Sequence, residues 1–399
     1  MPATRFFSTA GTDLRHHRCY IVARDACVPV KIAQISPLIE SVPPRLYGGT
    51  ERVVAYLTDE LVRQGHEVTL FASGDSRTCA NLVPACRQAL RLDPDVREHI
   101  PYHAMMLEQV KRLAGRFDVL HFHTDLLHFP VFSGTGHATL TTLHGRQDLF
   151  ELREFYTTFP DMPLVSISDA QRAPIPSATF AGTVLHGLPA DLLAPSFRPA
   201  GDYLAFLGRI SPEKGVDRAI EIARAAGMPL KIAAKVDRAD EAYFRERIAP
   251  LLNTAGVKFI GEINDGQKAR FLGEAAALLF PIDWPEPFGL VMIEAMACAT
   301  PVLAFDRGSV REVIDQGVTG CIVANVREAI QVVRWTSQLD RKAVRRRFDQ
   351  RFTTRRMADA YLRLYRTLIA QRSRDNVIPM ARALAVRPGV EQWQIQPSA

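Results

Sequence analysis

Two cations and two carboxylates in the second half of this 399-residue chain stand where apolar runs meet polar loops. Arg209 directly follows the apolar run YLAFLG, and Lys214 lies five residues on, ahead of the helical pattern VDRAIEIA. A cation at a strand end and another at a helix start can converge on one phosphate. Arginine offers a planar fork, lysine a point charge, and the helix N-terminus a partial positive charge. The plainer reading is two surface cations in a polar loop. Glu286 and Glu294 bracket seven residues in EPFGLVMIE. Phe288, Gly289 and Leu290 open a helix there, so their N–H groups lack intrahelical acceptors. A loop carboxylate beside such donors can grip sugar hydroxyls, the donors can hold a phosphate, and a carboxylate farther along can accept both hydroxyls of a ribose. The alternative makes Glu286 a helix N-terminal charge and Glu294 a salt-bridge partner. An acid in so apolar a helix is costly unless it has a partner.

Two further features belong to the first half. Gly48 and Gly49, in YGGTERVV, separate a strand from a helix; they allow a backbone to approach a ligand closely, or they make a tight turn. No G-x-G-x-x-G dinucleotide fingerprint is present, and Gly134-Thr135-Gly136 leads into a strand, the wrong context for one. His121 and His123 in DVLHFH, and His144 in TTLHG, end apolar runs, while His186 lies in VLHGLP. His144, followed by Gly145, is where a cleft-facing side chain would sit. Each of the four also fits a hydrogen-bonded structural histidine.

The elements that position these residues alternate regularly. VKIAQIS (30–36) reads as a buried strand, and ERVVAYLTDELVRQ (51–64) places Val53, Val54, Leu57, Leu61 and Val62 on one helical face. HEVTLFAS, DVLHFH (118–123), ATLTTLH (138–144) and LVSIS (164–168) read as further strands, with helices over about 102–115 and 168–172. HGLPADLLAPSFRPA (186–200) carries three prolines and no period, which marks a domain boundary. Beyond it the alternation restarts with YLAFLGRI and runs through ALLFPI, PVLAF, a VREVIDQ helix and GCIVA. Short buried strands alternating with helices predict two Rossmann-like doubly wound α/β domains facing across a central cleft. The expected boundaries are a disordered extension over 1–29, domains over 30–187 and 188–352, a terminal helix over 353–370 and a loosely packed tail over 371–399.

Composition agrees. Hydrophobic residues make up 47% and charged residues 23%, which excludes a disordered, collagen-like or disulfide-scaffold chain. Forty-nine Lys and Arg against forty-three Asp and Glu give a net charge of +6, too mild to imply nucleic acid. Six cysteines without C-x-x-C spacing read as reduced thiols with no metal site, and the start lacks the apolar core of a signal peptide. Both point to a cytoplasmic protein. FGLVMIEAMACATPVLA (288–304) is apolar enough to suggest a membrane span, but Glu294 and Pro301 favour a buried helix followed by a buried strand.

GGTERVV, GHEVTLFASG, TLHG, GRISPEKGVDRAIEIA and EPFGLVMIEAMACATPVLAFDRGSVREVIDQGVTG together resemble glycosyltransferase family 4, over about residues 30–370. The resemblance implies a retaining, nucleotide-sugar-dependent hexosyltransferase of the GT-B fold, with UDP-sugars favoured, no cofactor and no metal. It implies that Arg209 and Lys214 bind the donor diphosphate, with Gly48, Gly49 and the Leu290 N–H closing around it. Glu286, Phe288, Gly289 and His144 would hold the transferred sugar, and Glu294 the ribose. Glu286, His144, Arg209 and Lys214 would be the catalytic set. Two positions depart from the family pattern: Ala299 stands where Gly is common, with an effect expected on helix–strand packing, and His186-Gly187 replaces Asn-Gly.

A sugar-nucleotide epimerase or a glycan phosphorylase of the same fold, and a non-catalytic nucleotide-sugar binding protein, are the competing readings. The acceptor is an unidentified glycan, lipid or small molecule. The basic stretch RKAVRRRFDQRFTTRR (341–356) reads as a solvated helix face or as a peripheral contact with the inner face of a membrane.

Overall fold

A computed structural model describes residues 28–45, 48–199 and 201–385, with side chains as far as Ser373. The expected extension falls almost wholly on residues 1–27, outside the described residues. The N-terminal sheet holds β1 (Lys31–Ile35), β2 (Glu67–Ser73), β3 (Asn81–Cys86), β4 (Val119–Phe122), β5 (Thr139–Thr142), β6 (Leu164–Ser166) and β7 (Phe180–Thr183). The C-terminal sheet holds β8 (Leu204–Arg209), β9 (Leu230–Lys235), β10 (Val257–Gly261), β11 (Ala277–Phe280), β12 (Val302–Phe305) and β13 (Gly320–Val323). All strand pairs are parallel, in the orders β3-β2-β1-β4-β5-β6-β7 and β10-β9-β8-β11-β12-β13. Each order reverses beside its first strand, and ligands of such sheets bind in the crevice at that switch point. These are the two doubly wound domains of the GT-B fold.

Helices on both faces bury the sheets. In the Gly49–Arg63 helix, Val53, Leu57 and Leu61 pack on Ile32 and Val68, as the 3.6-residue spacing requires. Strands β3 and β7 were not legible in the sequence. Both are edge strands, only half-buried, and they contain Pro84 and Gly182, so neither alternation nor an apolar run marks them. VREVIDQ supplies only a short helix, Val310–Val313, because Gln316 pairs with Gly320 instead.

The chain crosses between domains twice, and the two crossings pair with each other. Leu188 N–H donates to Phe352 O (2.8 Å), and Thr354 N–H donates to Leu188 O (2.9 Å). A Cβ at position 187 would lie 2.4 Å from Thr353 O, so Gly187 is what permits this approach. The final helix, Thr354–Ala385, returns to the N-terminal domain, where Met357, Tyr361 and Tyr365 join the core of β1 and β4. It passes well beyond the end expected at 370, so residues 371–385 are helix rather than loose tail; 386–399 lie outside the described residues. The polar run QRSRDN (371–376) interrupts the apolar stripe, so the sequence pattern ends where the backbone helix does not.

Cys79 is disulfide-bonded, which corrects the reading of six reduced thiols; Cys86, Cys298 and Cys321 are free. Pairing depends on closeness in the fold, which isolated cysteines do not report through spacing. The apolar stretch forms the helix Leu290–Ala297 followed by β12, and no helix among the described residues is long and apolar enough to cross a membrane.

Ala299 shows why glycine suits its position. It terminates the Leu290–Ala297 helix at φ 64°, with Ala299 N–H donating to Met296 O (2.9 Å) and Thr300 N–H to Ala295 O (2.8 Å). A Cβ in this left-handed conformation costs about 1–2 kcal/mol, part of which glycine returns as unfolded-chain entropy. Ala299→Gly is therefore expected to raise stability by about 0.5–1 kcal/mol in chemical denaturation; an unchanged or lower midpoint would contradict this.

Candidate active site

A cleft of about 480 Å³ opens between the two sheets at their C-terminal ends. Gly48, Gly49, His144 and His186 line it from the N-terminal side, and Arg209, Lys214, Glu286, Phe288–Leu290 and Glu294 from the other. Every residue singled out for a binding or catalytic role thus reaches one cavity. His121 and His123 do not line it.

Arg209 ends β8, and Lys214 follows in the Pro212–Lys214 turn. Gly215, at φ 71°, then lets the chain enter the Val216–Ala226 helix, and a Cβ there would strike Pro281 O at 2.3 Å. Lys214 Nζ lies 2.6 Å from Glu286 Oε2, and Trp284 Nε1–H donates to the same oxygen at 3.0 Å. The ammonium also stands 4.9 Å above the Trp284 ring. Glu286 is therefore not a charge set against the helix N-terminus; its carboxylate is held by a cation and an indole. Its loop is fixed from behind, where Ser309 N–H donates to Glu286 O (3.0 Å) and Ser309 Oγ to Phe288 O (3.0 Å). Gly308 makes that fit possible, since a Cβ there would lie 2.3 Å from Glu286 O. Arg209 donates to Glu213 Oε1 at 2.6 Å and has Asp237 and Asp240 within 3.7 Å and 3.6 Å.

Glu294 has the partner that its burial demands: Lys268 Nζ lies 2.7 Å from Oε1. The salt-bridge reading of Glu294 and its place on the cleft wall both hold. Lys268 also reaches Asp265 at 3.4 Å, and Asp265 in turn pairs with Arg52 of the N-terminal domain. Burial lowers the Lys268 pKa, but the Glu294 and Asp265 carboxylates together outweigh it and the net shift is upward, so the ammonium is firmly charged. Arg52, Trp284 and Lys268 escaped the sequence reading. Arg52 and Lys268 lie in helices whose charged faces look like solvated surface, and only the cleft gives them partners.

Gly48 packs against Pro44, where a Cβ would lie 2.8 Å from that ring, so the start of the Gly49–Arg63 helix is drawn close to the loop before it. The Cβ position of Gly49 faces Leu290 Cδ1 across the cleft at 3.7 Å. The N-termini of two helices, Gly49–Arg63 and Leu290–Ala297, therefore open on the same cavity, a setting that favours anions.

His144 is half-buried, and His186 stacks on it at 5.4 Å and 19°, with its own edge against Phe288 at 5.0 Å. Burial pushes the His144 pKa down to about 3, so the ring is neutral at physiological pH. The Asn-Gly replacement thus places a buried imidazole at the domain junction, its Nδ1 without a hydrogen-bond partner among the described residues.

Much of the basic stretch is used internally. Arg341 donates to the carbonyls of Ser196, Ala275 and Gly273, and Arg345 to those of Ala190, Leu193 and Ala297. Arg347 and Arg351 both pair with Asp315. A solvated face is therefore the wrong description for Arg341, Arg345 and Arg351, which tie the Arg341–Arg351 helix to the C-terminal domain, while Arg347 is paired but exposed. Lys342, Arg346, Arg355 and Arg356 remain exposed.

Comparison with known proteins gives the same picture. Residues 47–172 match the family model described as Glycosyltransferase Family 4, and residues 195–351 match Glycosyl transferases group 1. O-antigen chain mannosyltransferase C of Escherichia coli is 25% identical over 368 residues, 83% of this chain and 97% of its own. Phosphatidyl-myo-inositol mannosyltransferase of Mycolicibacterium smegmatis is 27% identical over 339 residues, 74% of this chain and 81% of its own. Among solved structures, AviGT4, a glycosyltransferase involved in avilamycin A biosynthesis, aligns with a TM-score of 0.64 at 25% identity, covering 86% of this chain and 98% of its own. Anabaena Alr3699/HepE, solved with UDP and glucose, shares the fold at a TM-score of 0.66 and 18% identity, covering 85% of this chain and 100% of its own. With one model matching each half in order, and the residues of the motifs gathered in one interdomain cleft, the chain belongs to glycosyltransferase family 4 and is a glycosyltransferase of the GT-B fold.

Proposed function

We propose that the protein moves a hexosyl group from a nucleoside-diphosphate sugar, UDP-sugars favoured, to an acceptor hydroxyl, with retention at the anomeric carbon and without a metal. The observation that carries this reading is the placement of Arg209, Lys214 and two helix N-termini around the same cavity as the Glu286 and Glu294 carboxylates. Breaking the anomeric C–O bond builds negative charge on the departing diphosphate. Cations and N–H dipoles fixed beforehand stabilise that charge without reorganising, and they supply the charge a metal would otherwise bring. Glu286, steered by Lys214 and Trp284, grips hydroxyls of the transferred sugar, and Glu294 those of the ribose. In a front-face reaction the leaving phosphate oxygen takes the acceptor proton. The paired crossings at Leu188 and Thr353–Thr354 are the natural hinge for closing the cleft and excluding water, which would otherwise hydrolyse the donor. The two relatives named as mannosyltransferases support hexosyl transfer as the class.

The test is a thermal-shift series with UDP-, GDP- and ADP-sugars, followed by turnover of the best binder with candidate acceptors in the presence of a chelator. A donor at about 100 times its Kd adds about 2.7 kcal/mol and should raise the melting temperature by several degrees. A glycosylated acceptor formed in the chelator is the expected product. Epimerised nucleotide sugar formed without acceptor, or sugar phosphate formed from free phosphate, would establish one of the competing activities instead; no donor binding at all would refute the proposal.

For the acceptor side, Lys342, Arg346, Arg355 and Arg356 are exposed cations of the basic stretch and suit a weak contact with anionic lipid. Binding to phosphatidylglycerol vesicles at low salt that is lost at moderate salt is expected. Failure to bind at low salt would rule this contact out.

A further inference from the structure

Behind His144 runs a line of buried hydrogen bonds that the chemistry above does not use. Gln34 Nε2 donates to the Tyr365 hydroxyl at 3.1 Å, and that hydroxyl lies 2.7 Å from His121 Nδ1. His121 Nε2 is 2.7 Å from Thr142 Oγ1, which lies 2.8 Å from the Tyr361 hydroxyl. On the other side of Gln34, Oε1 is 2.8 Å from His123 Nε2, and His123 Nδ1 is 2.9 Å from His144 Nε2. Gln34, His121, Tyr361 and Tyr365 are completely buried, and His123 nearly so. The line joins the C-terminal helix to the cleft through the tips of β1, β4 and β5.

Each neutral imidazole has one N–H and one lone pair, so the direction of one bond dictates the next. Burial holds His121 and His123 well below the usual histidine pKa, and His144 at about 3, so all three rings are neutral. The Gln34 amide oxygen can only accept, hence His123 carries its proton on Nε2 and offers a lone pair at Nδ1. His144 must then donate from Nε2, which leaves its Nδ1 as a lone pair. On the far side, Tyr365 accepts from Gln34 and gives its own proton to His121 Nδ1, so His121 donates from Nε2 to Thr142. The amide stands with Nε2 on the Tyr365 hydroxyl and Oε1 on His123. Turning the Gln34 amide over would reverse every link and give His144 an Nδ1–H.

We propose that Gln34, His123 and Tyr365 are positioning residues that fix the tautomer of His144, so that its Nδ1 faces the cleft as an acceptor for a donor-sugar hydroxyl. The sugar in this statement rests on the proposed function; the tautomer does not. A hydroxyl that donates to Nδ1 is held in one orientation, whereas an N–H there would select a sugar oxygen with a free lone pair.

Two-bond ¹H–¹⁵N spectra of the histidine rings in the ligand-free protein at pH 7.5 test this, with His123→Asn and His144→Asn used only to assign signals. His123 and His144 should both appear as Nε2–H tautomers. Gln34→Leu should turn the His144 signals into a mixture of tautomers and lower kcat about tenfold, the value of about one net hydrogen bond, with donor KM changed less than about threefold. Tyr365→Phe, which removes one oxygen and keeps the ring, carries the same expectation should Gln34→Leu fail to fold. An Nδ1–H or cationic His144 in the unaltered protein, or a His144 tautomer indifferent to both substitutions, would overturn the proposal. Because the spectra need no substrate, a protein with the expected tautomers but no sugar transfer would refute the function and leave the hydrogen-bond line standing.

Discussion

Glu286→Gln is expected to reduce sugar transfer by at least 10²-fold while leaving the fold intact. The substitution keeps the shape of the side chain and its reach to Lys214 and Trp284, so the loss isolates the charge. The carboxylate sits 2.6 Å from Lys214 Nζ and 3.0 Å from Trp284 Nε1, both on Oε2, and under the proposed function Oε1 takes the sugar hydroxyls. Charge-assisted hydrogen bonds are worth about 1.5–3 kcal/mol, and a neutral amide forfeits that for each hydroxyl while leaving Lys214 without its counter-charge. Two such bonds correspond to about two to four decades in rate. Circular dichroism and melting temperature should stay near those of the unaltered enzyme, because the backbone of the loop is held independently by Ser309 and Gly308. Turnover within a few-fold of normal would remove Glu286 from the site.

The second large effect is on stability. His121, His123, His128 and His186 are buried and held well below the ordinary histidine pKa, and His144 is pushed down to about 3. Desolvation is the first cause in each case, with neighbouring rings adding to it at all but His144. In the unfolded chain the same rings take up protons near pH 6.5. The unfolded state therefore binds more protons as pH falls, and the stability present above about pH 7 is lost progressively towards the depressed folded values. Between pH 7 and 5.5 each ring contributes a loss of about 1 kcal/mol, so the five together remove several kcal/mol. Urea midpoints at the two pH values should differ markedly, the lower pH being the weaker. Equal midpoints would mean that these rings titrate freely. The same shift predicts that kcat shows no inflection from His144 between pH 6 and 8.

Particular residues show what was legible beforehand. Arg209, Lys214 and Glu286 stood out because they lie where apolar elements meet polar loops, and Glu294 because it interrupts an apolar helix; a doubly wound sheet delivers such positions to its crevice. The edge strands β3 and β7 left no pattern because they bury only part of each face. Lys268 and Arg52 carry the same surface appearance as any helix charge, and what they do depends on partners 26 and 213 positions away in the chain. The line from Tyr365 to His144 joins residues 331 and 244 positions apart along its first links. No local period can register contacts of that kind. Ala299 is the converse case: the sequence flagged it, and its φ of 64° supplies the reason.

The most direct measurement is a crystal structure with the nucleoside diphosphate that raises the melting temperature most. The diphosphate should lie within hydrogen-bond reach of Arg209, Lys214 and the Leu290 N–H, with Glu294 on the ribose hydroxyls. A nucleotide bound outside the interdomain cavity, or inside it with its phosphates away from both cations, would contradict the account.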